Sequence, residues 1–156
     1  MKRGNHVLSL SKKIFAELKP FCKRIEIAGS IRRGEINPKD IDIVLIPKDK
    51  NKLEEFMKIK VKGKFISGGE HESSWNINGV QTELYYTTEE EWGAELLAYS
   101  SKKGAGIGLR IIAKRKGFKL TQHGLFDRKT GKKIAGKTET EIYHALGKSY
   151  KNPENR

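Results

Sequence analysis

The strongest constraint on how this chain folds is the run "DIDIVLIP", residues 40–47. Acidic and apolar residues alternate at its start. On a strand, side chains two apart share a face, so Asp40 and Asp42 project together while Ile41 and Ile43 enter a core. A half-buried strand of this kind needs a sheet with packing on one side only. The run follows a shorter beta-branched segment, "RIEIAG", which ends at Gly29-Ser30 and a cationic turn carrying Arg32 and Arg33.

The rest of the pattern supplies that sheet and its cover. Val7, Leu10, Ile14, Phe15 and Leu18 recur at helical spacing before Pro20, which predicts a helix over residues 6–19. "NKLEEFMKI" reads as a second helix. "KFISGGEH", "SSWNI" and "VQTELYYT" read as strands, the last two joined through Asn78-Gly79, a hairpin signal. At Thr87 the character changes. Thr87 with Glu90 and Thr88 with Glu91 both fit a capping box opening a helix through "EEWGAELLAY". "GIGLRIIAKRKG" is a helix closed by Gly117, and short strands follow at "FKLTQ" and "GLFD". Thr138 and Glu141 cap a last helix, and the tail "KNPENR" is expected to be disordered. The expectation is an α+β chain: a mixed sheet with helices over residues 1–87, a small basic α/β lobe over 88–156, and a cleft between them.

Charge narrows the class of partner. The chain has 32 Lys and Arg against 19 Asp and Glu, a formal +13. Twelve of the bases fall between Lys102 and Lys137, with Asp127 the sole acid among them. Such a field favours phosphate backbones without reading sequence. A single cysteine, Cys22, excludes an internal disulfide framework and reads as a small core residue. The four histidines lack metal-ligand spacing, and no apolar run approaches a membrane span. An intracellular monomer without a membrane partner is expected.

The chemistry concentrates around the two aspartates. Paired carboxylate oxygens suit hard divalent cations such as magnesium. An Asp-x-Asp on a strand is commonly just a solvated face, but Gly29 lets an anion approach the backbone and Ser30 adds a hydroxyl. Arg32 and Arg33 follow, able to hold phosphate oxygens. Glu83 is the sole acid in the alternating run "VQTELYY". If its strand neighbours that of Asp42, three carboxylates converge beside a phosphate-binding turn, the layout of two-metal phosphoryl transfer.

An apolar residue, Gly-Ser, and Asp-apolar-Asp-apolar beginning ten residues after Ser30 resemble the signature of the polymerase-beta-like nucleotidyltransferases. Within that superfamily "AGSIRRGEINPKDIDIVLIP" looks like the palm of family X DNA polymerases. "GLRIIAKRKGFKL" and "GLFDRKTG" are similar to that family's nucleotide-selecting lobe, called thumb or fingers by different conventions. The resemblance implies a DNA polymerase that joins a nucleotide from a dNTP, or an NTP, to a primer 3′-hydroxyl and releases pyrophosphate, in gap filling or repair-like synthesis. It implies two Mg2+ ions, with Mn2+ as the alternative, on Asp40, Asp42 and Glu83. It places Gly29, Ser30 and Arg33 at the triphosphate and Tyr99 beside the incoming sugar. Arg110 falls where the family contacts the template, and Lys102, Lys103, Lys114 and Lys116 are expected on the DNA backbone of a primer-template or gapped duplex.

The departures carry their own expectations. Glu83 stands where aspartate is usual, Ala98 where a tyrosine is, Gly106 in place of a side chain that contacts the base, and Ser100-Ser101 in place of a Thr-Gly turn. Sugar selection is therefore expected to be loose. No counterpart of the family's lyase or helix-hairpin-helix domain is expected, which makes this a minimal two-lobe form. The competing readings are a template-independent nucleotidyltransferase acting on RNA or another acceptor, and a nucleic-acid-binding module with a decayed site.

Overall fold

The computed structural model describes residues 3–156 and divides into two compact units, Met1–Thr87 and Thr88–Arg156. In the first, Val7, Leu10, Ile14 and Leu18 line the buried face of α1 (Arg3–Leu18). Pro20 cannot continue the helix, which tightens into a 3-10 turn over Lys19–Phe21. The strands are β1 (Cys22–Ile27), β2 (Ile41–Pro47), β3 (Lys64–Gly68), β4 (Glu72–Ile77) and β5 (Val80–Tyr86). They form one sheet in the order β1-β2-β5-β4-β3, with β2 and β5 parallel and the other pairs antiparallel. Between β1 and β2 lies the single turn α2 (Gly29–Arg32), where the sequence reading had only a turn. Helix α3 (Lys50–Ile59) opens on Asp49, whose side chain accepts from the Lys52 amide at 3.1 Å. It buries Leu53 and Met57.

One face of this sheet carries the core. Ile41, Ile43 and Leu45 of β2, Val80 and Leu84 of β5, and Trp75 and Ile77 of β4 pack with the buried faces of α1 and α3. Cys22 belongs to the same cluster, and burial pushes its thiol up to about 11. Asn78 and Gly79 both take positive φ, 51° and 81°, the demand of a two-residue hairpin. That turn pairs Ile77 with Val80 and so fixes the whole β4–β5 register.

The second unit has its own core of Ala94, Leu97, Leu109, Ala113, Leu125, Ile142, Tyr143 and Leu146. These residues come from α4 (Trp92–Ser100), α5 (Lys103–Arg115), α6 (Glu139–Ala145) with Leu146 just after it, and the three-stranded sheet β6 (Phe118–Thr121), β7 (Gly124–Asp127) and β8 (Lys133–Ala135). Gly117 ends α5 with φ 79°, and the Thr138 hydroxyl caps α6 by accepting from the Glu141 amide. Strand β8 was not legible in the sequence.

Two local expectations are corrected. Neither capping box before α4 forms: Thr88 makes no side-chain cap bond, and the Thr87 hydroxyl is buried with no partner among the described residues. Glu89–Glu91 wind instead into a 3-10 turn. The first amides of α4 are capped from elsewhere, Gly93 and Ala94 donating to the carbonyls of Lys137 and Gly136 at 3.1 and 3.0 Å. The tail is not loose either. It makes a turn over Pro153–Asn155 and buries Arg156, whose guanidinium meets Glu139 at 2.6 Å.

Candidate active site

The parallel pairing of β2 with β5 sets Asp42 directly beside Glu83. Partners in register share a face, and the residues flanking each acid (Ile41 and Ile43, Thr82 and Leu84) are buried on the other. Asp40 precedes β2 and is exposed. Tyr85, two residues after Glu83, donates its hydroxyl to Asp42 Oδ1 at 3.1 Å. Burial pushes the Asp42 carboxyl above the usual aspartate range. The Tyr85 hydrogen bond and Arg33 oppose this, whereas the negative charges of Asp40 and Glu83 add to it. Burial thus works against the Asp42 charge, and Tyr85 and Arg33 offset only part of it.

Gly29 adjoins that carboxylate. Its φ is 61°, and a Cβ there would lie 2.2 Å from Asp42 Oδ2. Only glycine allows the loop this close to the carboxylate. The Ala28 amide fixes the approach by donating to the Asp42 carbonyl at 2.7 Å. Ser30 follows in α2, half-buried. Arg33 bonds Glu35 at 2.9 Å through Nη2, and its Nε is buried with no partner among the described residues.

Glu83 is held differently from Asp42. Its Oε1 accepts from Ser74 Oγ and from Gln81 Nε2, both at 2.7 Å. Ser74 lies on β4, on the far side of β5 from Asp42. Among the described residues, no three acid, histidine or cysteine side chains stand close enough together to enclose an ion. The donor set nevertheless fits a hard cation: all oxygen, one carboxyl raised by burial and then by its acidic neighbours, and an unpartnered guanidinium nitrogen for an anion beside it. Sequence reasoning missed Ser74, Gln81 and Tyr85. Alternation along β5 identifies Gln81 and Tyr85, and the Asn78-Gly79 turn places Ser74 opposite Glu83.

In the second unit Tyr99 is half-buried near the end of α4. Lys102 is the residue preceding α5, and Lys116 the one following it. Lys103, Arg110 and Lys114 are exposed on α5 at spacings of seven and four, which puts them on one face. Ile107 and Ile111 sit exposed beside them. Arg110, Ala98 and Gly106 line a cavity of about 260 Å³ between α4, α5 and β6. Glu91 is paired with His123 of the β6–β7 turn. Among the described residues, no helix is long and apolar enough to cross a membrane.

This α+β architecture, with its mixed five-stranded sheet, is that of a polymerase-beta-like nucleotidyltransferase. Residues 95–156 match the DNA polymerase beta thumb family. Repair DNA polymerase X of African swine fever virus is 30% identical over 147 residues, covering 89% of this chain and 84% of the relative. DNA polymerase/3'-5' exonuclease PolX of Bacillus subtilis is 24% identical over 157 residues, 97% of this chain and 28% of that protein. DNA polymerase IV of Saccharomyces cerevisiae is 39% identical over 67 residues, 43% of this chain and 11% of its own length. The chain belongs to the family X DNA polymerases.

Proposed function

We propose that this protein is a metal-dependent, template-directed DNA polymerase that fills short gaps. The observation that carries the reading is the register of Asp42 with Glu83 beside the Gly29 turn. Asp40, Asp42 and Glu83 would hold two magnesium ions, or manganese. When bound, these ions supply charge neutralisation at the primer 3′-oxygen and at the leaving pyrophosphate. Asp42 supplies a carboxylate whose unfavourable charge is relieved by a cation. Ser74 and Gln81 hold Glu83 through neutral donors, which restrain it without cancelling its charge. Ser30 and Arg33 take the triphosphate, with the unpartnered Nε of Arg33 as a donor. Gly29 keeps the loop close enough for those donors to reach. The 3′-hydroxyl gives up its proton to solvent, its oxygen attacks the α-phosphorus, a new P–O bond forms, the bond to the bridging oxygen breaks, and pyrophosphate leaves. Positioning and electrostatics supply most of the acceleration in such a transfer.

The second unit would hold the duplex. Lys102, Lys103, Arg110, Lys114 and Lys116 contact phosphates, and Tyr99 borders the incoming sugar. With Ala98 and Gly106 leaving space near Arg110, selection against ribonucleotides is weak. The decisive experiment is extension of a gapped duplex, a plain primer-template and a single strand, each with dNTP or NTP and with magnesium or manganese. Templated extension, fastest on the gap, is the expected result. Equal addition to the single strand would replace this reading with template-independent transfer, and a dNTP preference above roughly a thousandfold would remove the loose-pocket part.

A further inference from the structure

Arg33 closes the C-terminal end of α2 with its side chain 16% exposed. Its Nε and Nη2 lie on one edge of the planar guanidinium, the fork that takes two oxygens of a single anion. That fork is half filled. Nη2 donates to Glu35 Oε1 at 2.9 Å, and Nε is buried with no partner among the described residues. A carboxylate set square to the edge would take both donors, and Glu35 takes one.

The turn that carries the acid is fixed. The amides of Arg33, Gly34 and Glu35 donate to the carbonyls of Gly29, Ile31 and Ser30 at 3.2, 3.0 and 3.1 Å. Gly34 takes φ 76° within it. The backbone at Glu35 is therefore anchored, whereas its side chain is 44% exposed. Rotation about its own side-chain bonds is enough to carry the carboxylate from Arg33 into water, with the turn unchanged. An ion pair this exposed is weak. The buried Nε, by contrast, has given up water and received nothing for it, a state that most buried donors avoid. The arginine is thus better served by a two-oxygen anion than by the acid it now holds.

We propose that Glu35 is a placeholder for a phosphate of the nucleotide: it occupies Nη2 of Arg33 while the site is empty, and the incoming triphosphate displaces it to fill both prongs. Glu35 therefore sets how loosely the site holds nucleotide before transfer and pyrophosphate after it. The inference rests on the reading of Arg33 as a triphosphate ligand. An acid beside a binding arginine can also play the opposite part and orient the guanidinium for its ligand. The two roles differ in sign. An orienting acid strengthens nucleotide binding, and a placeholder weakens it by competing for the same donor. The geometry favours the placeholder, because an orienting acid would leave the Nε–Nη2 edge open, and Glu35 sits on that edge.

Binding is measured directly, by titrating the full chain with dTTP and magnesium, without DNA and at one salt concentration. Glu35→Gln keeps the shape of the side chain and removes the competing charge. It should bind dTTP about fivefold tighter, the factor that a partly exposed ion pair is worth. Pyrophosphate with magnesium should gain by a similar factor. Glu55 is exposed on α3, which covers the other face of the sheet. Glu55→Gln removes the same charge away from Arg33 and should leave both affinities within about twofold of the parent. Arg33→Lys keeps the positive charge and lacks the fork, so Glu35→Gln should change little in that background. Weaker, unchanged or undetectable dTTP binding by Glu35→Gln overturns the proposal. Equal tightening in Glu55→Gln overturns it too, as does an effect that survives intact in the Arg33→Lys chain. Templated extension is followed in parallel. Extension together with any of those results sinks the placeholder alone. The expected binding changes without extension sink the polymerase reading alone.

Discussion

The two units treat their carboxylates in opposite ways. In the first, Asp42 is desolvated, sits beside the charges of Asp40 and Glu83, and is held above the ordinary aspartate range. In the second, Glu141 accepts from the amides of Gly136 and Lys137, both at 2.8 Å, and is held below the ordinary glutamate range, the Gly136 bond first among the causes. Asp127 is likewise lowered by the amides of Thr130 and Lys129 in the turn after β7. Glu141 and Asp127 carry charges that their surroundings want. Asp42 carries one that its burial resists, a kind of shift that gathers at functional sites. The contrast separates acids whose charge the fold favours from one whose charge it disfavours.

The largest test of this contrast is Asp42→Asn. The amide keeps the shape and the oxygen that Tyr85 bonds, and removes the charge. Primer extension should fall by about a thousandfold or more, as expected when charge stabilisation of a phosphoryl transfer is lost. The metal-free variant should meanwhile melt at a higher temperature than the parent, because an unfavourable charge has gone. A variant that loses activity and stability together would make Asp42 an ordinary structural acid.

A smaller effect sharpens the same contrast through pH. Raised above its usual 3.8, folded Asp42 takes its proton before the unfolded chain does. Its charge therefore destabilises the fold at neutral pH, and the penalty fades as pH falls through the raised folded value. Glu141 behaves in reverse. Its folded value lies below the usual 4.5, so its charge stabilises above that pH and the benefit is lost as pH falls through the folded value. Denaturant melts of the metal-free protein should show Asp42→Asn more stable than the parent near pH 7 and Glu141→Gln less stable. Both differences should shrink on acidification. If they share a sign at neutral pH, the two carboxylates are not opposed.

How far the sequence reveals this depends on the range of each interaction. The helices other than α2, the five strands of the first unit and the hairpin are legible because they follow from periodicity and from Asn78-Gly79, all local signals. The Asp40–Asp42 pair is legible for the same reason. That Glu83 lies beside Asp42 is not, since the parallel pairing is reached only through α3, β3 and β4. That its Oε1 turns toward Ser74 and Gln81 depends on rotamers that no pattern encodes. The buried Arg156 was hidden by a polar tail whose composition resembles a disordered one, although its partners Glu139, Tyr143 and Tyr150 are all within 17 positions.

The smallest effect concerns one motif written more than once. Thr88-x-x-Glu91 and Thr138-x-x-Glu141 have the same spelling, yet only the second forms a cap, Thr138 Oγ1 accepting from the Glu141 amide at 3.1 Å. The difference is tertiary. Gly93 packs against the Thr138 backbone so closely that a Cβ would come within 2.2 Å of its carbonyl carbon. At that contact the loop before α6 delivers the Lys137 and Gly136 carbonyls to the first amides of α4. Helix α4 thus starts at Trp92 rather than after Thr88, and Glu91 is free to pair with His123. Thr138→Ala should therefore cost about 1 kcal/mol in a denaturant melt. Thr88→Ala should change stability by no more than about 0.5 kcal/mol, the ordinary range for an exposed substitution. Equal losses at the two threonines would mean that α4 draws on its own threonine in solution, and that the carbonyls of the distant loop are not its cap.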